Sequence, residues 1–278
     1  MDIKGKVGLI TGGAYGIGKK LTENLLQNGA KGVVILDVNE DNGQSTQKEF
    51  EEKYGSGKVV FQKCDVTKKE QMKAGFELAK SKYGALHIVC NNAGFFNEVN
   101  WEKMFEVNIN GVIYGTQLAI DNLEENGVIV NVASVAGLAL LPLAPLYATT
   151  KVAVIGYSRN MAHFDPTALV KKIRINCLCP SAVDGTNLLP STVVEEKHKE
   201  IFSDWMAVWP RITTDDVAKA FLKAIEEDHN GQALFIPAID KNIVLAEDNN
   251  AKFRKEVLGM KTDADFHAQA SMLNISKL

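Results

Sequence analysis

Short, uninterrupted apolar runs alternate along this chain with longer segments in which apolar residues return every three or four positions. The runs lie at 7–11, 33–36, 59–64, 86–90, 128–132, 173–179 and 233–236, and Pro180 stops the sixth. They are strand-length and show little polar alternation, the pattern of strands covered on both faces. Residues 16–29, 41–54, 68–83, 101–123, 146–164 and 214–227 read as helices between them; Ile17, Leu21, Leu25 and Leu26 form one face of the first. Strands alternating with helices predict an α/β fold with a parallel, doubly wound sheet. No repeat, low-complexity tract or linker divides the chain, so residues 1–278 are expected to form a single domain. Residues 185–212 are expected to be a mobile substrate-binding segment, and the polar tail after Asp240 is not placed by pattern.

Composition narrows the classes. The 278 residues are 46% hydrophobic and 23% charged, enough apolar material for a core without disulfides or metals. The net charge of -3 disfavours nucleic-acid binding through bulk positive charge. No apolar stretch approaches the roughly eighteen residues of a membrane span. The amino terminus lacks the apolar core of a signal peptide. Cys64, Cys90, Cys177 and Cys179 contain no CxxC pair and sit mostly in apolar runs. They read as buried free thiols of a reducing, cytoplasmic protein and not as a disulfide or metal framework.

The first candidate chemistry joins the first strand to the first helix. Thr11-Gly12-Gly13-Ala14-Tyr15-Gly16-Ile17-Gly18 combines backbone freedom with a helix N-terminus, which suits a pyrophosphate. Strand before and helix after is the context that gives such a glycine cluster meaning. Asp37 closes the second strand, where a carboxylate hydrogen-bonds adenosine ribose hydroxyls and repels the extra phosphate of NADP. Tyr15 brings no compensating cation, and Lys19 and Lys20 read as solvated, so NAD is the expected cofactor. Asp65 after the third strand either accepts from the adenine amino group or serves as a helix-turn carboxylate.

The second candidate is Tyr147 and Lys151, four residues apart on one predicted helix face. A nearby ammonium and a positive nicotinamide ring would favour phenolate, allowing Tyr147 to take an alcohol proton as hydride leaves carbon. Ser134, at the end of the fifth strand, would hold the substrate oxygen. With Thr11-Gly12-(x3)-Gly16-Ile17-Gly18, Asp65-Val66, Asn91-Asn92-Ala93-Gly94 and Asn108, these residues make the chain resemble a short-chain dehydrogenase/reductase over roughly residues 4–240. The resemblance implies a Rossmann-type domain with a seven-stranded parallel sheet and a catalytic tetrad of Asn108, Ser134, Tyr147 and Lys151. Asn108 would hold a water beside Lys151, with Asn110 a nearby rival. Lys151 would also bind the nicotinamide ribose. Asn92, Ala93 and Gly94 would line the adenosine ribose and brace the sheet. Val38 and Val66 would flank the cofactor beside their aspartates.

One stretch departs from the family pattern. Pro180-Ser181-Ala182-Val183-Asp184-Gly185-Thr186 has serine where the family usually has glycine after the proline. Pro180, Val183 and Thr186 remain candidates for the nicotinamide carboxamide. For substrate, Ser134 and Tyr147 are joined by Leu141 in the apolar 138–143 run and by Trp205 and Trp209, which share a helical spacing with Phe202 and Met206. That stripe forms either a pocket wall for a lipophilic alcohol or ketone or a packing surface. Phe95 and Phe96 would extend the wall; no arginine is obviously placed to clamp a substrate carboxylate, which leaves Arg211 and His198 as the remaining options. The motif dress is most similar to the branch containing 15-hydroxyprostaglandin dehydrogenase and insect alcohol dehydrogenase-like enzymes, which does not identify a substrate. The resemblance further implies a homodimer or tetramer. A non-catalytic cofactor-binding regulator and an epimerase or dehydratase on the same scaffold are the competing readings.

Overall fold

Each apolar run becomes a strand because alternate side chains feed two separate cores. The computed structural model describes residues 1–139, 143–186, 194–238 and 242–246, apart from the side chain of Trp205. From the amino terminus the elements are β1 (Val7–Thr11), α1 (Gly16–Gln27), β2 (Gly32–Asp37), α2 (Glu40–Tyr54), β3 (Val59–Lys63), α3 (Lys69–Tyr83) and β4 (Ile88–Asn91). Then come α4 (Trp101–Phe105), α5 (Gly111–Asn122), β5 (Val128–Val132), α6 (Pro145–Phe164), α7 (Pro166–Val170), β6 (Arg174–Pro180) and β7 (Ala182–Val183). The last are α8 (Lys199–Val208), β8 (Arg211–Ile212), α9 (Thr214–Glu226), β9 (Ala233–Ile236) and β10 (Val244–Leu245).

The main sheet has the order β10-β9-β6-β5-β4-β1-β2-β3. The seven expected strands are all parallel, and β10 adds a short antiparallel edge from the tail that the pattern did not place. On β2, Val33 and Ile35 join the core under α1 and α9, while Val34 and Leu36 join the core under α3 and α5. Within 185–212 the described residues form a turn at Glu196–His198, then α8 and β8, and β8 pairs with β7.

Two local features differ from expectation. The single helix expected over 101–123 is interrupted by a π-helical turn at Glu106–Asn110. Apolar spacing cannot reveal it, because its causes are tertiary. Asn108 exchanges hydrogen bonds with the backbone of Phe95, and a Cβ at Gly111 would lie 2.8 Å from Val66 Cγ2. The short helix α7 was also unexpected, although its signals are local: Asp165 accepts from the Ala168 N–H at 2.8 Å, and Pro166 fills the first helical position.

Chain ends of helices are tied down by cations. Arg174 donates to the carbonyls of Ala224 (3.2 Å), Ile225 (2.6 Å), Glu227 (2.5 Å) and His229 (3.1 Å), closing the C-terminus of α9. These are charge-assisted bonds at the negative end of the helix dipole. Replacement Arg174→Met keeps the apolar stem and leaves these carbonyls without their donor. It is expected to cost about 2–3 kcal/mol and to lower Tm by about 5–10 °C. An unchanged urea midpoint would show that water replaces the guanidinium without loss.

Candidate active site

The strand order reverses between β1 and β4, and their carboxyl ends open on a cleft of about 610 Å³. Such a switch point is where doubly wound sheets bind ligands. Along one half run Gly12, Tyr15, Gly16 and Ile17, with Asp37 and Val38 behind them. Asp65, Val66, Asn92, Ala93 and Gly94 border the same half. Ser134, Tyr147 and Lys151 line the other half, beside Pro180, Val183 and Thr186.

The glycine loop is shaped for close approach. Gly12 and Gly16 have φ of 62° and 54°, a region that suits glycine. A Cβ on Gly12 would lie 2.9 Å from Ala93 Cα. The Asn92 amide donates to the carbonyls of Thr11 and Gly12, each at 3.0 Å, and the Thr11 hydroxyl accepts from the N–H groups of Asn92 and Ala93. Helix α1 then starts at Gly16 with no side-chain cap and no carboxylate in its first turn. Its positive end faces the cleft unneutralised, which fits the pyrophosphate of a dinucleotide. Gly18 does not line the cleft. It packs beneath the loop, where a Cβ would sit 2.0 Å from the Gly12 carbonyl oxygen.

Behind the loop, Asp37 accepts from the N–H groups of Ala14 (3.1 Å) and Asn39 (3.0 Å). The carboxylate is therefore fixed by the loop it borders. Asp65 makes the bonds of one of the two readings left open by sequence, that of a helix-turn carboxylate. One oxygen accepts from the N–H and hydroxyl of Thr67, as a turn carboxylate does, and the other lies 3.6 Å from Lys103 Nζ on the cleft wall. Burial raises the pKa of Asp65, but the Thr67 bonds and the charges of Lys103 and Lys68 outweigh it and leave the group lowered. Lys103 was not anticipated, since nothing in its helical neighbourhood marks a pairing with Asp65 in a distant loop.

The other half of the cleft is lined by buried side chains. Tyr147 and Lys151 sit one turn apart on α6, both buried, with Lys151 Nζ 5.5 Å from the Tyr147 ring centroid. Lys151 donates to the Val132 carbonyl at 3.0 Å. Burial pushes Tyr147 up to about 12, opposed by its hydrogen bond with the Ser134 hydroxyl. Burial also brings Lys151 down to about 8, opposed by Cys179 and Cys177. Ser134 Oγ additionally accepts from the Ala136 N–H at 3.2 Å. Asn108 is fully buried behind Phe95 and not on the cleft wall; its amide also donates to Thr150 Oγ1 at 3.1 Å. Asn110, its rival, ends the π-helical turn and stands just before α5 without a side-chain capping bond. The four cysteines are free and buried.

An apolar wall of Phe95, Phe96, Phe202, Met206 and Trp209 adjoins Tyr147. Phe96 meets the Tyr147 ring edge-on at 4.8 Å and stacks on Phe202 at 5.8 Å. The indole N–H of Trp209 donates to the Ser181 hydroxyl at 3.3 Å, so the unusual serine joins the end of β6 to the end of α8. Leu141 and the Trp205 side chain lie outside the described residues. Arg211, a candidate clamp, is engaged by Asp184 at 3.5 Å. Among the described residues no cluster suits a metal ion, and no helix is long and apolar enough to cross a membrane.

Comparison with known proteins agrees with this architecture. The short chain dehydrogenase family model matches residues 6–197. The chain is 34% identical over 250 residues to 15-hydroxyprostaglandin dehydrogenase (NAD(+)) of Mus musculus, covering 86% of this chain and 92% of that protein. The crystal structure of levodione reductase superposes with a TM-score of 0.74 at 23% identity, covering 84% of this chain and 97% of that one. A short chain dehydrogenase from Burkholderia cenocepacia J2315, solved in complex with NADP, gives 0.73 at 25% identity, with 86% and 98% covered.

The buried lysine has a measurable cost. Between about pH 8 and its ordinary 10.5 the unfolded chain holds a proton that the native site has released, so this group adds stability as pH rises through that window. Below it the penalty is complete. Lys151→Met is therefore expected to stabilise the cofactor-free protein at pH 7 by about 2 kcal/mol, after allowing for the lost bond to Val132. The gain should fade towards pH 10.5 in urea titrations at several pH values. A variant no more stable than the native protein at pH 7 would contradict it.

Proposed function

Because this chain belongs to the short chain dehydrogenase family, we propose that it is an NAD-dependent oxidoreductase interconverting a lipophilic primary or secondary alcohol and its carbonyl. The observation that carries this reading is the meeting, in one cleft, of an uncapped helix end and of Tyr147, Ser134 and Lys151 beside an apolar wall. The residues from Gly12 to Ile17 would hold the pyrophosphate, Asp37 the adenosine ribose, and Lys151 the nicotinamide ribose. The bound dinucleotide supplies the hydride acceptor in oxidation and the donor in reduction. Ser134 holds the substrate oxygen by its hydroxyl. Tyr147 takes the alcohol proton, helped by the Lys151 ammonium and the positive charge of the oxidised ring. In the reverse direction the same phenol, protonated as burial favours, returns it. Asn108 secures the π-helical turn next to this group and would support a water beside Lys151.

Asp37 supports NAD over NADP. Its carboxylate is held by the glycine loop at the place where the extra phosphate of NADP would gather, and a relative is named for NAD(+). The Burkholderia protein was solved in complex with NADP, so the scaffold alone does not decide between the two cofactors. The relative's hydroxyprostaglandin is a lipophilic secondary alcohol, in keeping with the wall of Phe96, Phe202, Met206 and Trp209. The same reading includes a single domain, a cytoplasmic location and a homodimer or tetramer. A scattering mass near the 30.4 kDa of one chain would remove the oligomer.

The purified protein is expected to form NADH from NAD with a panel running from ethanol to long-chain, isoprenoid, steroid and prostaglandin alcohols, favouring the larger apolar members. Tyr147→Phe should lower kcat by about 10²–10⁴ with little change in NAD affinity. Turnover independent of Tyr147 would remove it as the proton-transferring group. Asp37→Ala should narrow the ratio of kcat/KM for NAD to that for NADP by at least about tenfold, the loss of one charged discrimination. An unaltered ratio would place cofactor selection elsewhere.

A further inference from the structure

Helix α6 carries Tyr147, yet its own sequence leaves its beginning unfinished. The first N–H groups of a helix have no partner within it. Ala144 at the cap position has no side-chain acceptor, and Pro145, the first helical residue, has no N–H. The next two N–H groups, those of Leu146 and Tyr147, are taken by one carboxylate from another part of the chain. Glu98 Oε2 accepts from Leu146 at 3.1 Å and Glu98 Oε1 from Tyr147 at 2.7 Å. Helices α2, α7 and α9 are capped by the residue just before them, Asn39, Asp165 and Thr213. Helix α6 is instead capped from 48 residues away.

The segment that carries Glu98 is itself fixed by groups around the site. The Asn108 side chain bonds both the N–H and the carbonyl of Phe95, each at 2.8 Å. Asn97 Oδ1 accepts from the N–H groups of Val99 and Asn100, folding the segment just beyond Glu98. Phe96, two residues before Glu98, presses its ring edge-on to Tyr147. Tyr147 is thus held at its backbone by Glu98 and at its ring by Phe96. Burial raises the pKa of the half-buried Glu98 carboxyl, and the bonds from the Tyr147 and Leu146 N–H groups at the positive end of α6 oppose that rise.

We propose that Glu98 is a positioning residue for Tyr147: by capping the first turn of α6 through two backbone N–H groups, it sets where the phenol points in the cleft. The inference rests on the role proposed above for Tyr147. It concerns placement and not contact with substrate, so loss of Glu98 lowers the chemical step more than it weakens cofactor binding. A displacement of about an ångström suffices to cost up to a hundredfold.

The test uses the full chain with tyrosine labelled with carbon-13 at Cζ, the Tyr147 signal being the one absent from Tyr147→Phe. In the native protein this phenol should stay protonated towards about 12. In Glu98→Ala the released turn admits water to the phenol, which should ionise about one pH unit earlier. With the best alcohol of the panel, kcat should fall about tenfold or more while the NAD dissociation constant changes less than twofold. Glu98→Gln keeps the shape and one acceptor and should recover part of both losses. Native-like titration with kcat within twofold in Glu98→Ala overturns the proposal. So does a parallel collapse of NAD affinity, which would mark general disruption. If Glu98→Ala does not fold, Glu98→Gln decides alone: native titration and kcat refute the role, and an earlier titration with reduced kcat supports it. If the native protein oxidises no alcohol, the proposed function fails, while the cofactor-free titration still judges Glu98.

Discussion

The site depends on one constraint of the sheet: neighbouring strands β1 and β4 send their chains to opposite faces. After β1, α1 packs on the face that holds Ile10, Ile35 and Phe221. After β4, the chain proceeds through α5 to the face that holds Leu9, Val34 and Ile129. No element can cover the carboxyl ends of both strands at once, so a crevice opens between them. Parallel pairing sets Leu36, Thr11, Asn91, Asn131 and Cys177 at a common level beneath it. The glycine loop and the tyrosine helix face each other because they leave from opposite sides of this gap.

Holding a crevice open requires polar groups at depth, and burial makes each of them demand partners. Asn91 donates to Asn131 at 2.8 Å, and Asn131 donates to Ser158 on α6 at 2.8 Å. These bonds link β4, β5 and the helix of Tyr147 in one buried network. The fit is tight: a Cβ on Gly115 would lie 1.9 Å from Asn91 Oδ1. Asn92, one residue on, turns the other way and holds the glycine loop. Adjacent asparagines therefore fasten the two halves of the cleft to the same strand end.

Those parts of the site whose cause is local were legible in sequence. Gly12 and Gly16 need positive φ, Asp37 ends a strand, and Tyr147 and Lys151 share a helical face by spacing. The parts set by distant pairings were not. The π-helical turn depends on a bond from Asn108 to Phe95, and Lys103 faces Asp65 only after two segments fold together. Glu98 reads as one more carboxylate in a polar loop until the missing cap of α6 is seen. Ala144-Pro145 was the available sign, since a helix that opens without an acceptor must borrow one. Gly18 was legible as part of a motif, but its place under the loop follows from packing against Gly12.

Tyr147 and Lys151 have opposed electrostatic displacements with a single source. Burial drives the phenol up to about 12 and the ammonium down to about 8, so the isolated site resists both charges. On the roles proposed for them, phenolate beside ammonium would relieve the two penalties together, each supplying the opposite charge that the other lacks in a buried wall. The pair would then act as one proton-handling unit whose state responds to the charge that enters the cleft. A positive ring beside it would favour phenolate and proton uptake from an alcohol, and a neutral ring would leave the phenol protonated and ready to donate to a carbonyl. On that proposal the direction of proton transfer follows the redox state of the cofactor without a separate switch in the protein.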